Sequence, residues 1–308
     1  MQNIINNTLF VGKNLITLKQ VDSTNNYAKL LTANSRPVPD GTVILADTQT
    51  GGRGQAGTSW VSEPGLNLTF SVLLECGFLP PVRQFHLSMA VSLGIVEALG
   101  RLMHRMAPAG GEDGNPTRLP ALAIKWPNDI LLDRKKMGGI LIENLLAGSR
   151  MKSSIVGIGL NINQEDFPGL PGATSLKLGL SGSGLRLPPG DALTGVSGNL
   201  HLPAVLDTVC HGIEARFLQL KSGAYDSLKE DYLRYLSGFG RKQRFCRLAA
   251  GPESGAGLSG HSVGIPHPRE DVFEGVIAGI TPEGKLLIST SEGMLAFEKK
   301  QIRSLSGN

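Results

Sequence analysis

Gly52-Arg53-Gly54-Gln55-Ala56-Gly57-Thr58-Ser59-Trp60 is the stretch on which the fold turns. Gly52, Gly54 and Gly57 match G-x-G-x-x-G, the fingerprint of dinucleotide-binding folds. In those folds a helix follows at once, so that its N-terminus can receive the pyrophosphate. Here Val61-Ser62-Glu63-Pro64-Gly65 reads as a turn, and Leu66-Asn67-Leu68-Thr69-Phe70-Ser71-Val72-Leu73-Leu74 is strand-like, with period two rather than 3.6. The loop therefore joins two strands, residues 42–46 before it and 66–74 after it. It reads as an anion-binding loop of another kind.

Outward from the loop, Asp22-Ser23-Thr24-Asn25 supplies cap residues for a short helix through Tyr27, Leu30 and Leu31. A helix over residues 83–103 is marked by Phe85, Met89, Val96 and Leu99. Residues 107–120, rich in glycine and proline, read as a loop. Three closely spaced strand segments follow: 122–126 into Pro127, the 130–132 and 139–144 pair around the Asp133-Arg134-Lys135 turn, and 154–162. Short turns favour antiparallel pairing, so the expected class is α+β with a mixed, largely antiparallel sheet rather than a doubly wound parallel one. Residues 178–203 read as an excursion with little packed structure, and helices follow at 206–220 and 228–236. Four strands are expected in the tail, at 241–248, 272–280, 285–290 and 294–305, with 249–268 as a long hairpin insertion. The implied division is a catalytic domain over 1–238 and a small β-barrel or sandwich over 239–308.

With 308 residues, 41% hydrophobic content and a formal charge of +4, the chain is long enough for one large core plus a satellite domain. The charge helps attract phosphates but falls short of the basic runs of a dedicated nucleic-acid binder. Cys76, Cys210 and Cys246 form no C-x-x-C pair, which favours reduced thiols and a cytoplasmic setting. The N-terminus lacks the pattern of a secretory signal, and no apolar run suggests a membrane span. The six histidines show no metal-ligand spacing, the G-x-x-x-x-G-K-[ST] pattern is absent, and a hydrolase nucleophile elbow is not expected.

Each candidate group has two readings. Arg53 between two glycines is either a guanidinium aimed at a phosphate or carboxylate, or a surface arginine in a flexible turn. Asn128 and Asp129, after Lys125-Trp126-Pro127, sit either at a ligand or in an ordinary Pro-Asn-Asp turn. Lys136 precedes Gly138-Gly139, where a ligand can approach the backbone closely, but a charge cluster in a turn is often only solvated. Gly157 and Gly159 alternate within an apolar run, share one face and leave a groove or a close helix contact, with Asn161 and Asn163 following on that face. Ser23, Thr24 and Asn25 can serve simply as caps.

Taken in order, these segments resemble the biotin–protein ligase family. They are Ser23-Thr24-Asn25; Gln49 ahead of Gly52-Arg53-Gly54-x-x-Gly57-x-x-Trp60; Lys125-Trp126-Pro127-Asn128-Asp129; Lys136-x-x-Gly139-Ile140-Leu141; Gly157-x-Gly159-x-Asn161; and Ala173-Thr174-Ser175-Leu176. The tail is similar, more weakly, to that family's small SH3-like barrel. The resemblance implies a class II synthetase-like biotin/lipoate ligase catalytic domain that makes biotinyl-5′-adenylate from biotin and ATP, with Mg²⁺ on the phosphates. Biotin then passes to a lysine of a biotin carboxyl carrier protein domain.

The same resemblance implies roles for residues. Arg53, Lys136 and Asp129 are the catalytic candidates. Ser23, Thr24, Asn25, Gln49, Gly52, Arg53, Gly54, Gln55, Trp60, Lys136, Gly139 and Gly157 surround biotin. Arg53, Gln55, Thr58, Trp60, Asn128, Asp129, Lys136 and Asn161 surround ATP or the adenylate. Gln55 and Thr58 stand where family members often carry a second arginine and an arginine or asparagine, which implies weaker retention of the adenylate. About twenty residues precede Asp22, too few for a helix-turn-helix module. A monofunctional enzyme is therefore expected, without specific DNA binding or a membrane partner, as a monomer or homodimer. The alternatives are lipoate-type acyl transfer and a non-catalytic ligand-binding module.

Overall fold

The computed structural model describes residues 5–33, 37–107, 118–183, 185, 193–194, 198–248 and 271–305. Leu15–Val21 (β1) runs parallel to Val43–Gln49 (β2), with Thr24–Ala33 (α1) between them. Leu68–Glu75 (β3) returns antiparallel to β2, so the Gly/Arg loop does join two strands. Phe85–Met106 (α2) follows, then Leu122–Lys125 (β4), Asp129–Leu132 (β5), Lys135–Ala147 (β6) and Arg150–Leu160 (β7). These strands form one sheet in the order β1-β2-β3-β7-β6-β5-β4, antiparallel everywhere except β1–β2. The class is α+β.

Both faces of the sheet are covered. All of β3 except Glu75 is buried, which requires cover above and below the strand. On one face lies α1, packed in a cluster of Ala28, Ile44, Leu73 and Ile155 with Tyr27 and Leu31 against it. The other face begins at the start of α2, where Gln84 Oε1 accepts from Asn144 Nδ2 and Asn144 Oδ1 accepts from Ser154 Oγ. The helix Leu176–Gly182 (α3) is capped by Ser175 Oγ, which accepts from Leu178 N at 3.2 Å. Leu202–Lys221 (α4) packs along α2, and Tyr225–Tyr235 (α5) packs against both. The α2–α4 crossing is close because Gly94 meets Gly212: a Cβ on Gly94 would lie 2.7 Å from the Gly212 backbone.

Several expectations change. Strand β1 was not foreseen: its burial is irregular, and only partnership with β2 makes it a strand. Residues 178–203 are not a bare excursion, since α3 occupies their start and Leu180, Leu185, Leu193 and Leu200 are buried. The apolar residues there are spaced by tertiary contact and show no local period. The segment Pro81–Met106 is long and apolar enough to cross a membrane by length and composition, contrary to the sequence reading, but most of it is buried inside the protein as core. The loop expected at 107–120 falls largely outside the described residues, as does the 249–268 insertion.

The chain separates into two compact units, Met1–Ser237 and Gly238–Asn308. The second is a five-stranded antiparallel sheet built from Lys242–Arg247 (β8), Asp271–Ile280 (β9), Leu286–Thr290 (β10), Gly293–Phe297 (β11) and Ile302–Ser304 (β12). Its order is β11-β10-β9-β8-β12. The single strand expected over 294–305 is two, because Glu298 and Gln301 form a reciprocal cap around a tight turn at Lys299–Gln301. Phe245, Phe273 and Phe297 stack in a ladder at 5.7 Å between successive rings.

Candidate active site

Register decides which residues meet. Lateral neighbours in a sheet put their side chains on one face. One row across the sheet is Ala46, Thr69, Gly159, Gly139, Asp129 and Lys125. The next is Ile44, Ser71, Gly157 and Leu141, and the third holds Leu73, Ile155 and Glu143. Gly139 is thus directly opposite Gly159, with Gly157 one row away, making a patch of floor without side chains.

Two of these glycines are already answered by the fold. A Cβ on Gly157 would fall 2.4 Å from Asn25 Oδ1, and one on Gly159 would fall 2.3 Å from Trp60 Cε2. The groove expected at these positions is therefore filled by Asn25 and Trp60. At Gly139 an added Cβ would meet only ordinary contacts, with Lys136 Nζ at 3.7 Å and Asp129 Oδ1 at 3.8 Å. Next to Gly139, Lys136 Nζ and Asp129 Oδ1 form an ion pair at 2.7 Å.

The Gly/Arg loop folds back on itself. Gly52 O accepts from Trp60 N at 3.0 Å, Gly54 N donates to Thr58 O at 2.6 Å, and a tight turn at Gln55–Gly57 closes the tip. Gly52 must lack a side chain because a Cβ there would lie 2.3 Å from Trp60 O. Gly57, at φ +83°, occupies the left-handed region that favours glycine. Thr58 Oγ1 donates to Gln55 O at 2.9 Å, so its hydroxyl serves the turn. This small hairpin lays the Trp60 ring on Gly159 and sends Arg53 toward β6, where its NH2 lies 2.8 Å from Glu143 Oε2.

A polar cluster sits at the start of α1. Gln49 Oε1 accepts from Thr24 N at 2.7 Å and from Thr24 Oγ1 at 3.1 Å, satisfying a first-turn N–H that the helix itself leaves open. Ser71 Oγ lies 2.7 Å from Thr24 Oγ1 and 2.6 Å from Asn25 Oδ1, its single proton serving one of them at a time. Asn25 Nδ2 donates to Glu143 Oε2 at 2.8 Å, and Lys29 Nζ reaches Glu143 Oε1 at 2.6 Å. Burial pushes the Glu143 carboxyl up, but donation from Lys29 and Asn25 and the charges of Arg53 and Lys29 outweigh it. The group is held below the usual glutamate range. Ser23, Thr24 and Asn25 are all buried.

The structure therefore joins Thr24, Asn25, Gln49 and Arg53 through Ser71 and Glu143, and places Trp60, Gly139, Gly157, Asp129 and Lys136 along the same floor. Asn128 and Asn161 each spend their side-chain NH2 on a backbone carbonyl. Asn128 Nδ2 donates to Ile140 O at 2.8 Å and Asn128 O accepts from Ile140 N at 3.0 Å, clipping the turn after the cis Trp126–Pro127 bond to β6. Asn161 Nδ2 donates to Thr174 O at 3.1 Å, while Thr174 N donates to Lys136 O at 2.9 Å. The Ala173-Thr174-Ser175-Leu176 segment thus braces the backbone of Lys136 against that of Asn161. Trp60 Nε1 and Asn161 Oδ1 are buried without a hydrogen-bond partner among the described residues, leaving one donor and one acceptor to be satisfied.

Sequence reasoning missed Ser71, Glu143 and Lys29. Glu143 carried a signal: a charge at i+2 from Leu141 and i+4 from Gly139 must share their face. Among the described residues no group of three or more His, Cys, Asp or Glu side chains is placed to hold a metal ion. Gly260-His261-Ser262-Val263-Gly264 is a literal G-x-S-x-G match, correcting the expectation that no such pattern occurs. It lies outside the described residues, in the chain between β8 and β9.

Residues 17–161 match the model of the biotin/lipoate A/B protein ligase family. The bifunctional ligase/repressor BirA of Bacillus spizizenii is 28% identical over 291 residues, covering 93% of this chain and 73% of that protein. The biotin–[acetyl-CoA-carboxylase] ligase of Paracoccus denitrificans is 36% identical over 160 residues, covering 51% of this chain and 59% of that one. Among solved structures, the biotin protein ligase of Aquifex aeolicus in complex with biotin and ATP is similar, with a TM-score of 0.65 and 26% identity over 95% of this chain and 99% of that one. Domain match, relatives and fold agree in likeness: over residues 17–161 the chain is similar to the biotin/lipoate A/B protein ligase family, and its fold is that of a biotin protein ligase structure.

Proposed function

We propose that this protein is an ATP-dependent biotin–protein ligase that joins biotin to a lysine of a biotin carboxyl carrier protein domain. The observation that carries the reading is the side-chain-free floor at Gly139, walled by Trp60 and flanked by the Asp129–Lys136 pair and Arg53. Relatives named as biotin ligases, and a similar structure holding biotin and ATP, support it.

In the first step a biotin carboxylate oxygen attacks the α-phosphorus of ATP and pyrophosphate leaves with the bonding electrons. Both partners are anionic, so fixed positive charge has to offset their repulsion and the charge that builds in the transition state. Arg53 and Lys136 supply it from opposite ends of the floor. Mg²⁺ would arrive on the ATP phosphates. In the second step a lysine amine attacks the acyl carbon, AMP departs, and the amide nitrogen loses a proton. Asp129 would position or deprotonate that amine. Trp60 Nε1 and Asn161 Oδ1 would serve the adenylate, and Asn128 holds Asp129 in place through the turn.

The polar set of Ser23, Thr24, Asn25, Gln49 and Ser71 favours biotin over lipoate. A ureido ring, with two N–H donors and a carbonyl acceptor, can join such a hydrogen-bonded cluster, whereas a dithiolane offers it no matching group. We place the enzyme in the cytoplasm, where its three buried cysteines stay reduced. Incubation with ATP, Mg²⁺, an apo carrier domain and either biotin or lipoate decides the assignment. The carrier should gain the mass of biotin only, and Arg53→Ala and Lys136→Ala should each abolish the gain. A lipoyl mass, or no gain with wild-type protein, overturns it, and a specific shift of operator-like DNA would overturn the ligase-only form.

A further inference from the structure

Glu143 is the residue that ties Arg53 down, and its surroundings are built for exchange. Oε1 is paired with Lys29 at 2.6 Å, while Oε2 is shared by Asn25 at 2.8 Å and Arg53 at 2.8 Å. The side chain is one-fifth exposed, whereas those of Lys29 and Arg53 are about two-fifths exposed. Lys29 and Asn25 come from α1, a regular element; Arg53 comes from a loop closed on itself by few hydrogen bonds. If Arg53 leaves, Glu143 keeps a cation and an amide donor and is not stranded as a buried unpaired charge. Such stranding is what makes most half-buried ion pairs hard to open.

Resting on the ligase reading, we propose that Glu143 is a positioning residue, a latch that parks Arg53 over the floor until an anionic substrate takes it, with Lys29 setting how tightly the latch holds. Arg53 makes an ion pair with either Glu143 or the substrate's carboxylate or phosphate, so the first pair is subtracted from binding of the second. Lys29 competes for the same carboxylate and screens it from the incoming anion. Removing Glu143 and removing Lys29 therefore have opposite effects. A merely structural role predicts loss from both.

The experiment compares wild-type, Glu143→Gln and Lys29→Gln proteins of full length. Calorimetry with MgATP and with biotin is read beside hydrogen exchange of ligand-free protein at residues 52–60. Glu143→Gln should speed exchange there and tighten binding by about two- to five-fold, the range of a part-exposed ion pair. Lys29→Gln should slow exchange and weaken binding by a similar factor, and Glu143→Asp should fall between wild type and Glu143→Gln. Equal exchange in all three proteins, or weaker binding in both glutamine variants, refutes the latch. Should wild-type protein bind neither ligand while the exchange differences appear, the latch stands and the ligase reading fails.

Discussion

Gly159→Ala tests the wall of the site while leaving the sheet alone. Gly159 does not occupy the left-handed region, and its pairing with Thr69 and Gly139 uses backbone groups that alanine retains. The added methyl would sit 2.3 Å from Trp60 Cε2, 2.5 Å from Cζ2 and 2.8 Å from Cδ2. Packed carbons rest about 3.5–4.0 Å apart, so the indole must withdraw by about 1.2–1.7 Å from its present 2.3 Å separation. Trp60 belongs to a loop, which lets it yield, so the stability cost should stay near 1–2 kcal/mol. That corresponds to a melting drop of about 2–8 °C. The chemistry should suffer more, since a misplacement of about 1 Å in a positioning group can cost 100-fold.

Biotin-dependent ATP–pyrophosphate exchange should therefore lose about two orders of magnitude in kcat/KM. In a Trp126→Phe background, fluorescence of the remaining indole should report its shift. Gly139→Ala is the companion, because its methyl meets only contacts of 3.7–3.8 Å from Lys136 and Asp129. It should melt like wild type and yet bind biotin more weakly, since only a ligand would occupy that space. Wild-type exchange and fluorescence in Gly159→Ala would refute the reasoning. So would a collapse in melting temperature, which would make the glycine a requirement of the sheet.

Glu214 is buried and accepts from the backbone N–H groups of Leu9 at 2.7 Å, Phe10 at 2.7 Å and Val11 at 2.9 Å. Glu214→Ala should cost about 3 kcal/mol by leaving these donors open, with faster hydrogen exchange at residues 9–11 and no change in substrate KM. Gln55→Arg and Thr58→Arg should slow adenylate release, measured by filter retention of labelled adenylate, with the difference shrinking at high salt. The lowered Glu143 pKa means that its contribution to stability is complete above the ordinary glutamate value and is lost as pH falls through the folded value. The melting difference between wild type and Glu143→Gln should accordingly narrow as pH drops from about 6 to about 3.

The local grammar of the chain was legible wherever a pattern repeats over a few residues. Period-two alternation identified β3, and helical spacing identified α2, α4 and α5. The turn at Val61-Ser62-Glu63-Pro64-Gly65 removed the dinucleotide fold. What escaped had no period of its own. Strand β1 depends on a partner some 28 residues further along, since Leu15 pairs with Val43. Leu185, Leu193 and Leu200 are buried by contact with other elements, not by a shared stripe.

The candidate site divides the same way. Residue type and spacing made Arg53, Lys136 and the glycines at 139, 157 and 159 candidates, because charge and close backbone approach are written in residue chemistry; the ordered resemblance to the ligase family added Trp60 as a wall and Asp129 as a catalytic group. Which glycines stay open and which are filled was decided by cross-strand register, which sets Gly139 against Gly159 and brings Trp60 and Asn25 onto their neighbours. Asn128 and Asn161 became braces for the same reason: a buried amide bonds to whatever backbone the fold brings near it. The pairing of Arg53 with Glu143 spans 90 residues of chain, a distance over which composition and spacing carry no information and only the sheet does.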